Sequence, residues 1–245
     1  MPVLAAAFFV TAIMYASVGF GGGSTYSALL ALAGADYLLL PVVALLCNLV
    51  VVAGSTVRFA RARVTPWRGA LGLVALGAPA AFLGGLTPIG ERAFFTVLGA
   101  SLVFAGFALF LPTAGRDDEP ARAARFAWLA AAPLGYLAGL VGIGGGIFLA
   151  PLLHLVRWRK ARAIAATASL FILVNSLFGL AGQLLKSGSG LLGAAAEFGL
   201  PLIIAVVVGG QIGSLLAVKF MPKRVIRMAT AALTILVGGR LLLAI

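Results

Sequence analysis

Two short stretches hold the residues best placed to do chemistry. "VGFGGGS" runs from Val18 to Ser24, and "VGIGGGI" from Val141 to Ile147. Glycine tolerates positive φ and lets a ligand come close to bare backbone. A helix that starts just after such a turn has N–H groups without an acceptor, at the positive end of its dipole. Those conditions favour an anion. Two neutral amides, Asn48 in "LLCNLVVVAGS" and Asn175 in "ILVNSLFGLAGQ", follow the glycine motifs within apolar runs. Both can donate N–H to oxyanion oxygens. The candidate binding set is therefore Gly19, Gly21, Gly22, Gly23, Ser24 and Asn48, then Gly142, Gly144, Gly145, Gly146 and Asn175, with Gln183 and Gln211 as weaker members. Tyr26 and Tyr136 read as packing or interface residues. A lone glycine cluster would be better explained by close helix packing. Two copies in equivalent places favour a site.

The missing side chains narrow the chemistry. Asp36, Glu91 and Glu197 fall at or near the ends of apolar segments, and the other acids lie in a central linker. No carboxylate stands mid-span, so coupling through a membrane-embedded Asp or Glu is poorly supported, as is a cation substrate. His154 is the single histidine, beside the basic "RWRK" run, and reads as interfacial. Cys47 is the single cysteine, which excludes an intramolecular disulfide and a cysteine metal cluster. With no convincing nucleophile–base pair, no catalytic residues, metal or cofactor are expected, and the chain does not read as an enzyme.

The elements that must carry these residues follow from hydropathy. Of 245 residues, 62% are hydrophobic and 10% charged. That leaves too little polar surface for a soluble globule. Apolar segments fall at 2–34, 41–57, 69–86, 93–111, 126–155, 163–185, 191–218 and 225–245. They are continuously apolar rather than alternating, so helices are expected and a β-barrel is not. The fold class is an all-α polytopic membrane protein. The N-terminus lacks the basic region of a secretory signal, so residues 2–16 are read as part of the fold. The net charge of +12 is read as loop charge that fixes membrane orientation, with no nucleic-acid partner.

Residues 113–125, "TAGRDDEPARAAR", form a polar linker that divides the chain into repeats at 1–112 and 126–245. The glycine motifs correspond in order, as do Asn48 with Asn175, Ser55 with Gln183, and Pro88 with Pro222. Basic residues then decide the topology. If every apolar segment crosses once, the 18 Lys and Arg divide evenly between the two sides. If 2–34 and 126–155 each enter and return, only Arg92, Lys186 and Arg240 fall on one side and all the rest on the other. The positive-inside rule selects the second arrangement. A single helix over 2–34 would also be ~50 Å long at ~1.5 Å per residue, against a hydrocarbon core about 30 Å thick. Each repeat is thus a glycine-broken helical hairpin plus three transmembrane helices. That count turns the second repeat upside down relative to the first, as in many secondary transporters. The linker is placed in the cytoplasm and both termini outside.

The paired "GFGGGS" and "GIGGG", the Asn in the following helix and the small polar linker resemble the TauE/SafE family of bacterial membrane permeases, over nearly the whole chain. The resemblance implies an inner-membrane exporter of sulfite or an organosulfonate. Ile147 stands where the first motif has Ser24, so the two half-sites differ chemically. A protonatable anion such as bisulfite would carry its own proton and need no protein carboxylate. The partners expected are a small anionic substrate and the lipid bilayer. A homo-oligomer stays open, because hydropathy treats lipid-facing and dimer-facing surfaces alike. Other small anions, or a passive anion channel, are the alternative readings.

Overall fold

The computed structural model describes residues 1–18, 21–110, 126–187, 189–216 and 223–244. Gly19 and the 113–125 linker lie outside the described residues. Among those described, the chain forms ten helices and no strand. They are α1 (Pro2–Val18), α2 (Gly23–Leu32), α3 (Leu39–Arg61), α4 (Trp67–Leu86) and α5 (Glu91–Ala108), then α6 (Phe126–Val141), α7 (Gly146–Leu155), α8 (Ala161–Ser187), α9 (Ser189–Leu216) and α10 (Lys223–Leu243). Five of them, α3, α4, α5, α8 and most of α9, are long and apolar enough to cross a membrane. The 2–34 and 126–155 runs are each broken at their glycines into a longer and a ten-residue helix.

Glycine contacts fix the helix directions. Along α4, Gly69 abuts the ring of Trp158, Gly72 that of Trp128, Gly77 the backbone of Gly135, and Gly84 that of Tyr136. Helix α6 therefore runs parallel to α4. Helix α8 does too, since Phe171 faces Gly77 and Gly182 faces Gly85. Trp128 opens α6, and Trp158 follows α7. Both indoles pack on the first turns of α4, so α6 and α7 begin and end at the same end of the bundle.

The first hairpin repeats the pattern from the other end. Phe9 and Ile13 of α1 pack on Gly209 and Gly213, so α1 runs parallel to α9. Val43 meets Gly199 and Val51 meets Gly210, which makes α3 parallel to α9 as well. Helix α2 leads from the glycine turn, level with Asn48, back to the start of α3. Leu45 lies against Gly179, and both Val52 and Ile172 lie against Gly21, so α3 and α8 are antiparallel. Helices α5 and α10 are antiparallel too, Gly99 meeting Gly238 and Gly106 meeting Ile235.

Small residues make this possible. Gly135 and Gly139 on α6, like Gly209 and Gly213 on α9, are one turn apart and let backbones touch. Without a hydrophobic drive between helices in lipid, such close packing is the main source of association. Pro79, Pro133, Pro151 and Pro201 sit inside helices, as membrane helices tolerate when neighbours satisfy the freed carbonyls. The charge is segregated. The 58–68 loop adjoins the 157–162 loop through Gly69 and Trp158, whereas Lys186 is at the far end and donates to the Thr87 carbonyl at 3.3 Å.

Candidate functional site

The two glycine turns meet at one place. Gly22 and Gly145 are left-handed N-caps of α2 and α7, with φ of 79° and 77°, and neither helix start has a side-chain cap. Their first-turn N–H groups therefore have no intrahelical acceptor, except that of Phe148, which donates to the Gly145 carbonyl at 3.2 Å. Asn48 of α3 reaches both turns. Its Oδ1 is 2.5 Å from where a Cβ would stand on Gly21, its Nδ2 is 2.7 Å from that of Gly144, and its amide abuts Gly23. Nδ2 donates to the carbonyl of Ile143 in the opposite turn at 3.3 Å. A side chain on Gly21, Gly23 or Gly144 would fill the space the amide occupies.

Helix α8 supplies the mirrored contact with a different residue. Ile172 packs on Gly144, Gly146 and Gly21, as Asn48 packs on Gly21, Gly23 and Gly144. Ser176 Oγ stands 3.2 Å from the Cβ position of Gly144, as Val52 Cγ1 stands 3.0 Å from that of Gly21. The contacts thus pair Asn48 with Ile172, and correct the pairing of Asn48 with Asn175 drawn from sequence. Asn175 is nearly a turn further along, with its Oδ1 3.1 Å from the Cβ position of Gly77 on α4. The match of two asparagines within apolar runs was out of register because a helix of uniform hydropathy gives no phase to align.

The polar groups here are buried and unsatisfied. Asn48, Asn175 and Ser176 are each 0% exposed. Asn48 Oδ1, both amide atoms of Asn175 and Ser176 Oγ have no hydrogen-bond partner. Each such group costs about 1–3 kcal/mol, which a ligand supplying the missing bonds would recover. On α2, Ser24 and Ser27 are buried, and the Ser27 hydroxyl is also unpartnered. The Tyr15 and Thr25 hydroxyls join α1 to α2 across the turn at 2.8 Å. Tyr26 stacks on Phe8 at 4.8 Å, in a packing role. Tyr136 bonds Thr87 at 2.9 Å near the end of α4.

The two glutamines stand elsewhere. Gln183 Nε2 donates to the carbonyls of Gly139 and Leu140, at 2.9 and 3.2 Å, and braces the last turn of α6. Gln211 lines an outer groove between α3 and α9. Sequence reading passed over Ser176 and Ile172. The signal was there for Ser176, a second polar residue directly after Asn175 in an apolar run. Ile172 carries none, because its part depends on its place over the turns.

A bundle of apolar helices, with two broken ones converging on buried polar groups, defines a polytopic membrane permease. Residues 3–241 match the family model described as sulfite exporter TauE/SafE. The chain is also 33% identical over 247 residues to "Probable membrane transporter protein y4hK" of Sinorhizobium fredii (strain NBRC 101917 / NGR234), covering 98% of this chain and 97% of that one. This chain belongs to the TauE/SafE family and is a transmembrane transporter. No solved structure matches it.

Proposed function

We propose that the chain is a secondary transporter that exports a small sulfur oxyanion or sulfonate across the bacterial inner membrane. The observation that carries this reading is the meeting of two uncapped helix starts at Asn48. Bare N–H groups and helix dipoles supply positive potential without a fixed cation. Asn48 Oδ1 is an unpartnered acceptor, and Ser176 an unpartnered hydroxyl. A ligand with both an O–H and an O⁻, such as bisulfite, satisfies one of each. Such an ion brings its own proton, which suits a site without carboxylates.

The two halves are read as inverted repeats that rock against each other around this site. The antiparallel α3–α8 contact and the opposite entry of the two hairpins support that reading. The end bearing the 58–68 and 157–162 loops is placed in the cytoplasm, and both termini outside. Trp128 and Trp158 pack on the first turns of α4 at that end, beside Trp67, where an aromatic belt is expected.

Flux of sulfite into proteoliposomes across an imposed pH gradient tests the function. Saturable flux that follows the gradient is expected. Flux proportional to concentration at every level would favour a channel instead. Saturable transport of a small carboxylate that sulfite does not inhibit would replace the substrate class.

A further inference from the structure

A locally open helix contact lies away from the glycine turns. Val51 and Gly54 of α3, with Val206 and Gly210 of α9, wall a shallow open groove that also takes in Arg58 and Gln211. A Cβ on Gly54 would touch nothing within 4 Å, and one on Gly210 only Val51, at 3.8 Å. The corresponding α8–α4 contact is closed, with Gly182 against the Phe82 carbonyl and Gly85 against that of Gly179. Helical periodicity puts Gly54 and Val57 on the side of α3 away from Asn48. Of the residues that line the groove, Gly54 is exposed and Val207 is 39% exposed. The groove therefore opens outward to lipid and not inward to the anion site.

Its polar residues stand at the end of the bundle that holds most of the charge. The Arg58 guanidinium donates to Ser55 Oγ at 3.1 Å, and its bond goes to that hydroxyl and not to a carboxylate. A guanidinium has five donors in a planar fork, so one such bond leaves most of them for an anion. Arg61, Arg63 and Arg68 follow in the same loop region. An apolar trough that ends in a guanidinium and an amide at the membrane surface matches an anionic phospholipid in both parts. The phosphate pairs with Arg58, and an acyl chain lies over Gly54.

We propose that the α3–α9 groove is a binding site for an anionic phospholipid, its phosphate on Arg58 and Gln211 and one acyl chain along Val51, Gly54, Val206 and Gly210. A soluble phosphate would meet only the mouth of this groove and none of its length. The assignment needs the chain in a bilayer but does not depend on what it transports.

Native mass spectrometry of the full chain, released from micelles doped with phosphatidylglycerol or phosphatidylcholine, provides the test. Wild type is expected to retain phosphatidylglycerol at least tenfold better than phosphatidylcholine. R58Q should bring that preference close to unity, and R58K should keep part of it. G54L, which fits the open space, should lower retention of both lipids while leaving the guanidinium in place. R61Q serves as the neighbouring-charge control and should retain the preference. An R58Q variant as selective as wild type, equal retention of the two lipids by wild type, or displacement of bound phosphatidylglycerol by millimolar inorganic phosphate would each overturn the assignment.

Discussion

The two glycine turns share a backbone and differ in what dresses it. Gly22 and Gly145 cap ten-residue helices in nearly the same left-handed conformation. The helix that follows the first carries Ser24, Thr25 and Ser27, all buried, while the second carries Ile147 and Phe148. The overlying helices each bring one polar and one apolar residue, in opposite order: α3 offers Asn48 then Val52, and α8 offers Ile172 then Ser176. The polar groups around the two turns are therefore placed differently, most of them on α2 and α3 and one, Ser176, on α8. Glycine placement sets the geometry of this site, and side chains that differ between the halves set its chemistry.

The largest effect should come from Gly23. A Cβ there would strike the Asn48 amide and stand 2.5 Å from the Ile143 carbonyl, which is backbone and does not yield. At the corresponding Gly146, the obstacle is the tip of the Ile172 side chain, which can rotate away. Gly23→Ala should lower sulfite flux by more than ~100-fold, the scale at which misplaced site geometry is felt. Gly146→Ala should cost under about tenfold, on the order of one kcal/mol or so of repacking. Flux assays at equal reconstituted protein decide it. Equal losses at the two positions would mean that the turns respond to volume alone.

Next come the polar residues of α3 and α8 beside the turns. Asn48→Ala removes the bond to the Ile143 carbonyl along with any ligand contact, so KM should rise about tenfold and the melting temperature fall. Ser176→Ala removes only an unpartnered hydroxyl. Its KM should rise by a similar factor while stability holds or improves. A Ser176→Ala protein with unchanged KM would take that hydroxyl out of the site.

Asn175 sharpens the comparison in the other direction. Its amide is buried with no partner, and it faces α4 beside Gly77. Replacement by Leu, of similar volume, should raise stability by ~1–2 kcal/mol, because an unsatisfied polar group is removed from the interior. If the amide has no part in transport, flux should stay within about twofold, and thermal unfolding in detergent read beside flux separates the two roles. A stability gain paired with lost transport would restore Asn175 to the substrate path.

The sequence carried the skeleton of this site better than its contents. Glycine triplets and run lengths implied two helices broken at their glycines, and both runs are broken there. Those signals are local or compositional. What a polar residue touches is neither. Gln183 reads like Asn48 in sequence, yet its amide is spent on α6 carbonyls. Gln211 sits on the outside of the bundle beside Arg58. Both outcomes depend on rotational phase about a helix, and a run that is apolar on every face does not reveal that phase.

The smallest expected effect concerns how the two short helices end. Helix α2 is closed by Gly34, at φ 70°, with Ala35 donating to the Leu30 carbonyl; α7 is closed by Arg157, at φ 48°, with Trp158 donating to that of Leu153. The hydrogen bonds are the same, but one end uses the residue suited to a left-handed turn and the other does not. A Cβ on Gly34 would meet nothing within 4 Å, so Gly34→Ala isolates backbone strain from packing. The left-handed penalty for a residue with a Cβ is about 1–2 kcal/mol, which corresponds to a drop of about 2–8 °C in melting temperature for a chain of this size. Transport should be unaffected, because Gly34 lies at the opposite end of α2 from the glycine turn. A loss of flux without a loss of stability would show that the end of α2 moves during the cycle, and that the two short helices differ in mobility as well as in side chains.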